Sequence, residues 1–316
     1  MSELIKTVDL KKYFRISKTE QLHAVDGVNL SIDAGKTLGV VGESGCGKST
    51  LGRTVLGLQP ATGGQILFEG KDLTKLSASE RKKYTKEMQI IFQDPYSSLN
   101  PRMSVFQLIA EPLQMHRVYK TKGELLDRVL YLMEKVGLDL RFINAYPHEM
   151  DGGRRQRVGI ARALALNPKF IVCDEPVSAL DVSIQAQIIN LLMDMQEEMG
   201  LTYMFITHDL SVVRHMSDEI MVMYLGQCVE KAPAKELFAK PMHPYTQALL
   251  AAIPQPVLGA EMNREVIRGE VSNPINPKPG CRFATRCKYC TEACTKADLP
   301  LKDVGEGHQV ACVLYN

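Results

Sequence analysis

The sequence predicts an α/β fold built around a phosphate-binding loop, and three observations carry that expectation. Gly42-Glu43-Ser44-Gly45-Cys46-Gly47-Lys48-Ser49-Thr50 fits G-x-x-x-x-G-K-[ST], with the apolar run 38–41 before it and a helical run at 49–58 after it. A second apolar run, 170–173, ends in Asp174-Glu175, and a third, 201–207, ends at His208-Asp209. Open α/β sheets bind ligands at the carboxyl ends of their strands, where all three runs place polar residues.

In the phosphate loop, glycines let successive backbone N–H groups turn inward as an anion nest, and the following helix adds its positive end. The motif assigns Lys48 to the β- and γ-phosphates and the Ser49 hydroxyl to Mg²⁺. Upstream, residues 4–10 and 22–32 alternate as strands and form a small β-rich part. Between them Tyr13 and Phe14 stand just ahead of the loop. An aromatic there stacks on adenine, worth about 1 kcal/mol, or closes a strand in the core; spacing leaves both open.

Residues 63–70 read as turn, strand and turn, and 77–86 as an exposed helix. The strand at 88–92 leads to Gln93-Asp94-Pro95, where a polar Gln caps a loop or reaches an ion. Runs 104–116 and 122–136 have helical spacing and predict a helical subdomain inserted between core strands. Asp151-Gly152-Gly153-Arg154 precedes another helical run, with Asp151 as a candidate N-cap. In Asp174-Glu175 the first acid suits the Mg²⁺ shell and the second suits polarising the attacking water. Residues 181–199 form an amphipathic helix and 219–230 a hairpin turning at Leu225-Gly226-Gln227. Short helices follow at 234–239 and 245–252. Recurrent prolines at 254–279 read as a linker.

Bulk properties narrow the class. The chain has 316 residues, 45% hydrophobic and 23% charged, ordinary for a protein that buries a real core. A net charge of +2 argues against a dedicated nucleic-acid binder. The N-terminus carries no signal-peptide pattern, and no run approaches the roughly 20 apolar residues of a spanning helix. A cytoplasmic chain follows as the expectation, and reduced cysteines with it. Five of the eight cysteines lie after residue 280. Cys281, Cys287, Cys294 and Cys312 offer four thiolates for an iron–sulfur cluster. Cys287-x2-Cys290 with His308-x3-Cys312 offers a zinc set. Spacing alone separates neither from free thiols.

Taken together, the motifs resemble the ATP-binding subunits of ABC transporters over nearly the whole chain. The resemblance rests on the phosphate loop, Gln93 as Q-loop, residues 150–154 as signature region, Asp174-Glu175, the D-loop Ser178-Ala179-Leu180-Asp181 and a switch His208. Residues 94–101, 243–249 and the cysteine tail narrow it to the dipeptide/oligopeptide branch. The implied layout is an ABC domain at 1–252 with its helical subdomain at about 94–165, a linker at 253–280 and a cysteine-rich tail at 281–316. Implied roles are adenine stacking by Tyr13, Mg²⁺ ligation by Ser49 and Gln93, general base catalysis by Glu175 and γ-phosphate contact by His208. The same resemblance favours a [4Fe–4S] cluster on the four cysteines over zinc, and leaves Cys290 spare.

Implied partners are a second ABC ATPase subunit and two transmembrane permease subunits, met by residues 94–146. An extracytoplasmic peptide-binding protein is an indirect partner, nucleic acid is not one, and the location is peripheral at the cytoplasmic face of the membrane. Peptide import powered by ATP hydrolysis is the implied function. Import of another solute such as nickel, or a soluble ABC-type ATPase acting on nucleic acid, are the alternatives. One departure stands out: the family's Leu-Ser-Gly-Gly-Gln is here Met150-Asp151-Gly152-Gly153-Arg154. A carboxylate in place of that serine repels phosphate by on the order of 4 kcal/mol per charge pair at about 4 Å and an effective dielectric near 20. Arg154 offsets part of this. The expectation is an unequal pair of ATPase subunits, with the site capped by Asp151 weak.

Overall fold

The computed structural model describes residues 2–252 and 273–315. Two compact units emerge, one from Met1–Lys75 with Phe205–Asn316 and one from Leu76–Met204. The first unit opens with two long strands, β1 (Glu3–Arg15) and β2 (Gln21–Asp33), paired antiparallel with several register shifts. The alternation seen at 4–10 therefore continues through Tyr13, which lies within β1. Strand β3 (Thr37–Val41) is buried throughout and feeds the phosphate loop, after which α1 (Lys48–Val55) begins. Strands β4 (Gly63–Phe68) and β5 (Lys71–Asp72) complete a four-stranded sheet in the order β2-β1-β4-β5.

The second unit starts at α2 (Ala78–Tyr84), whose N-cap Ser77 and Glu80 exchange hydrogen bonds in a capping box. Strand β6 (Met88–Ile91) is followed by α3 (Pro95–Ser98), α4 (Val105–Met115), α5 (Lys122–Lys135) and α6 (Gly152–Leu164). Ser104 with Gln107, and Thr121 with Glu124, cap α4 and α5 in the same reciprocal way. Helices α4 and α5 both pack on α6, and Val105, Leu108, Val129 and Leu132 on them are buried. Strand β7 (Phe170–Asp174) runs parallel to β6 with Ile91 opposite Cys173. Helix α7 (Val182–Met199) buries Ile188, Ile189, Leu191, Leu192 and Met195 on one face and ends at Gly200, whose φ is +66°. That matches the amphipathic reading, with Met195 filling the core and Met193 and Met199 only partly buried.

The chain returns to the first unit in the course of β8 (Thr202–Ile206). Next come α8 (Leu210–Met216), a helix that hydrophobic spacing did not flag, and the hairpin β9 (Glu219–Tyr224) with β10 (Gln227–Pro233). Strand β3 lies parallel to β9, Leu38 opposite Glu219 and Val41 opposite Val222. Helices α9 (Ala234–Ala239) and α10 (Pro244–Ala251) follow. Most of the expected linker, residues 253–272, falls outside the described residues. Its last part docks on β2: Pro274 accepts from the His23 N–H at 2.9 Å, and Asn276 Oδ1 accepts from the Gln21 N–H at 3.0 Å.

The tail does not hang apart. Strand β11 (Lys302–Asp303) pairs with β12 (Gln309–Val310), and β12 pairs with β10 through Val310 and Glu230. Val310 and Cys312 bury against Met242.

Candidate functional site

The phosphate loop lies in the first unit and its glycines are demanded by geometry. Gly42 has φ +150° and Gly47 φ +106°. A Cβ on Gly42 would lie 2.2 Å from the Met223 carbonyl oxygen, and one on Gly47 2.0 Å from that of Ala24. The loop is thus pressed against β9 and β2, and any side chain at either position would force backbone apart. Lys48 is buried and turns its ammonium onto the loop, donating to the carbonyls of Gly42 at 2.7 Å and Glu43 at 2.9 Å. Cys46 is buried beside it, 3.8 Å from the Lys48 Nζ, and burial pushes its thiol up.

Glu43 anchors the loop from outside. Its backbone N–H donates to the Tyr245 hydroxyl at 2.8 Å, so the segment 243–249 singled out in the sequence touches the phosphate loop directly. Its carboxylate takes both arms of Arg286, Nη1 to Oε2 at 2.7 Å and Nη2 to Oε1 at 3.2 Å.

Tyr13 sits opposite His23 in the β1–β2 register, one residue from the Ala24 carbonyl that faces Gly47. The Tyr13 ring stacks on the His23 ring with centroids 3.9 Å apart and planes 17° from parallel. The Tyr13 hydroxyl donates to Asp26, and burial together with that bond pushes its phenol well up, so it remains a donor. Burial alone would raise Asp26. Hydrogen bonds from Tyr13 and His23 and the Arg282 guanidinium outweigh it and hold the carboxyl below its usual range. His208 is exposed, directly after β8, and the Thr207 N–H donates to the Val40 carbonyl of β3 at 3.2 Å. The switch candidate therefore stands beside the strand that feeds the phosphate loop.

The second unit carries the acidic residues. Gln93 is two residues beyond Ile91 and Glu175 two beyond Cys173, and those strand residues are partners. The register brings the side chains level: Gln93 Nε2 donates to Glu175 Oε2 at 2.9 Å. Asp174 closes β7 fully buried. Glu175 has φ +48°, a strained left-handed conformation for a residue with a side chain, of the kind that clusters at active sites.

Asp151 is the N-cap of α6. Its Oδ1 accepts from the Arg154 N–H at 2.8 Å, and its Oδ2 takes the Arg154 Nη1 at 2.7 Å. The N-cap role and the Arg154 offset read from the sequence are both present, and the repulsion on a partner's phosphate falls accordingly. The pair is about half exposed and further screened. A Cβ on Gly153 would stand 2.8 Å from Ile184 Cγ2 in the first turn of α7, and one on Gly152 3.1 Å from Leu180 Cδ2 just before it.

In the tail, Cys281, Cys287, Cys294 and Cys312 line one cavity of about 40 Å³ together with His243 and Phe283. The Cys281 N–H donates to the Cys294 carbonyl at 2.7 Å and ties the two ends of the cysteine loop. Burial pushes the Cys281 thiol up to about 11 and raises Cys287 and Cys312. At Cys294 burial is outweighed by hydrogen bonds from Thr291, and that thiol is held down. The His243 Nδ1 accepts from the Tyr245 N–H at 3.1 Å, whereas its buried Nε2 finds no partner among the described residues. The zinc set is not assembled: Cys290 is exposed, and His308 Nε2 bonds buried Glu230 at 2.7 Å. Glu230 also accepts from the N–H groups of Met242 and His243. Among the described residues no three His, Cys, Asp or Glu side chains are close enough to hold one metal ion.

Sequence reasoning missed Arg282, Arg286, Asp26 and Tyr245. Their partners lie up to 256 residues away, beyond any local signal.

Comparison with known proteins agrees with this geometry. Residues 25–178 match the family ABC transporter, and residues 229–294 match Oligopeptide/dipeptide transporter, C-terminal region. The chain is 50% identical to the oligopeptide transport ATP-binding protein AppF of Bacillus subtilis, over 99% of this chain and 98% of the relative. It is 49% identical to OppF of Salmonella typhimurium (98% and 96% covered) and 49% identical to the dipeptide transport protein DppF of Escherichia coli (98% and 93%). Among solved structures it is similar to the ATP-binding cassette MJ0796, a dimer in a post-hydrolysis state bound to ADP and Pi. That match has 30% identity and TM-score 0.68 over 73% of this chain and 99% of the other.

Proposed function

The chain belongs to the ATP-binding subunits of oligopeptide/dipeptide ABC transporters, and from that premise we propose that it hydrolyses ATP to power peptide import through a membrane permease. The observation that carries the reading is the Gln93–Glu175 hydrogen bond, which holds the acid after β7 in one orientation. Glu175 accepts the proton of the attacking water, and Gln93 fixes the carboxylate that does so. Lys48 and the loop N–H groups take the β- and γ-phosphates, His208 contacts the γ-phosphate and Tyr13 stacks on adenine. Ser49, Gln93 and Asp174 present oxygen atoms, the donor type that suits Mg²⁺. When bound, Mg²⁺ neutralises charge developing on the phosphates.

Two such subunits close on ATP and open after hydrolysis, a two-state switch ordered by the γ-phosphate. The partner ATPase is a different chain in this reading, because Asp151 stands where the family's signature has a serine whose hydroxyl can donate to a partner's γ-phosphate. The permease pair is met by residues 94–146, and an extracytoplasmic binding protein delivers peptide. No helix among the described residues is long and apolar enough to cross a membrane, consistent with a peripheral subunit at the cytoplasmic face.

In the tail the reading is a [4Fe–4S] group on Cys281, Cys287, Cys294 and Cys312. Zinc draws its sulfurs to about 2.3 Å from one centre. A cluster is larger and takes four thiolates spaced around it. What supports the reading is that these four cysteines line one shared cavity, with the buried His243 Nε2 lacking a partner among the described residues. Bound there, it would cross-link a segment too short to fold on its own core.

Assembly of the chain with its permease and partner ATPase in vesicles tests the function. ATP hydrolysis should rise when peptide-loaded binding protein is added, and Lys48→Ala should abolish the rise. Hydrolysis indifferent to peptide would refute it.

A further inference from the structure

Two cysteines of the tail cavity bracket a short segment, Cys281-Arg282-Phe283-Ala284-Thr285-Arg286-Cys287, and both of its arginines leave the tail for the nucleotide half of the same unit. Arg286 reaches Glu43 inside the phosphate loop in a two-point pair, and its Nη1 also lies 3.3 Å from the Tyr224 hydroxyl. Arg282 bonds the Leu225 carbonyl and Asp26, and Asp26 in turn holds the Tyr13 hydroxyl and the His23 ring. Both guanidinium side chains are only 7% exposed. Phe283, between them, wedges against Tyr224 and Tyr245 with ring centroids 5.3 Å away in each case, which fixes the segment from which both arms extend.

The chemistry at Glu43 explains why an arginine is needed. The loop holds a polyanion, and an unpaired carboxylate in that loop repels it. A bidentate guanidinium cancels the carboxylate's charge and pins the loop backbone beside it, which a surface ion pair could not do. At Asp26 the effect is orientational. The carboxylate fixes the plane of the Tyr13–His23 stack, and Arg282 fixes the carboxylate.

We propose that Arg282 and Arg286 are positioning residues for ATP binding, so that the cysteine-bearing tail sets nucleotide affinity: Arg286 acts on the phosphates through Glu43, and Arg282 acts on the base through Asp26 and Tyr13. This rests on the ATP-binding role proposed above. It makes the tail part of the nucleotide site rather than an appendage. The two arms also divide the ligand between them, which a purely structural tail would not.

The test titrates the 316-residue chain, wild type and variants, with MgATP and with magnesium tripolyphosphate by calorimetry. Arg286→Ala should weaken both probes about tenfold, because the unpaired Glu43 carboxylate repels either polyphosphate. Adding Glu43→Gln to Arg286→Ala should recover most of that loss, because the repelling charge is gone. Arg282→Ala should weaken MgATP and leave tripolyphosphate unchanged. Should Arg286→Ala not fold, Arg286→Lys and Glu43→Gln carry the comparison. The lysine variant should lie between wild type and a tenfold loss, and the glutamine variant should bind at least as tightly as wild type. Unchanged affinities in the arginine variants, no recovery in the double variant, or equal weakening of both probes by Arg282→Ala would overturn the proposal alone. A wild-type chain that binds neither probe would overturn the nucleotide reading and this proposal with it.

Discussion

Gln93 donates to Glu175 across 2.9 Å because β6 and β7 run parallel with Ile91 opposite Cys173. Two residues further on, each strand delivers a functional side chain at the same level. The bond fixes the orientation of the Glu175 carboxylate. Gln93→Ala should therefore lower kcat about 10- to 100-fold, since misplacing a catalytic group by an ångström costs that much, with a smaller change in ATP affinity. Single-turnover hydrolysis in the assembled transporter, set beside equilibrium binding, separates the two effects. Weaker ATP binding with an unchanged single-turnover rate at saturation would assign Gln93 to binding alone.

Asp26 gives the chain an acid-sensitive limb. Its folded pKa lies below the ordinary 3.8, so the stability it contributes is fully present above that value and is lost as pH falls through the folded pKa. Asp26→Asn should be less stable than wild type at about pH 6, and the gap should begin to narrow only as pH falls below 3.8 towards the lowered folded pKa. Urea unfolding midpoints at a series of pH values measure it. A gap that does not change with pH would mean that the carboxylate's charge contributes nothing.

The four cavity cysteines and the exposed Cys290 should part company on metal loading. Chain purified without oxygen should carry iron and sulfide and absorb in the visible range. Cys287→Ser and Cys312→Ser should lose the iron, while Cys290→Ser keeps it. Zinc without iron, or iron lost in Cys290→Ser, would overturn the cluster reading.

Asp151 is spent on its own helix and on Arg154, which leaves little charge for a partner's phosphate. Serine caps helices about as well as aspartate, so Asp151→Ser should shift stability by only a few tenths of a kcal/mol. In the assembled complex it should raise turnover, because a hydroxyl can donate where a carboxylate cannot. Unchanged turnover and unchanged nucleotide retention would remove the argument for an unequal pair of ATP sites.

Much of this was legible in the sequence because it is local. The phosphate loop, the helical runs at 104–116 and 122–136 and the acids after residue 173 are written in spacings of a few residues. What was not legible is set by register and long-range contact. Nothing near Glu43 announces that Arg286, 243 positions later, will pair with it. His308 looked like a metal ligand beside Cys312 until buried Glu230, 78 residues earlier, claimed its ring. Tyr245 read as one aromatic in a short helix, and only the packing of α10 shows that its hydroxyl receives the Glu43 N–H. Helix α8 was passed over because it is seven residues long and starts from a polar Asp209 cap rather than from a clear apolar period.

The central claim is that Glu175 is the general base of an ATPase whose phosphates are held by Lys48 and the loop. Glu175→Gln keeps the size of the side chain and its place beside Gln93 but removes the basic oxygen. Measured together in the assembled transporter, ATP hydrolysis should fall on the order of 10²-fold or more while MgATP binding stays near the wild-type level. Hydrolysis at the wild-type rate in that variant would contradict the assignment.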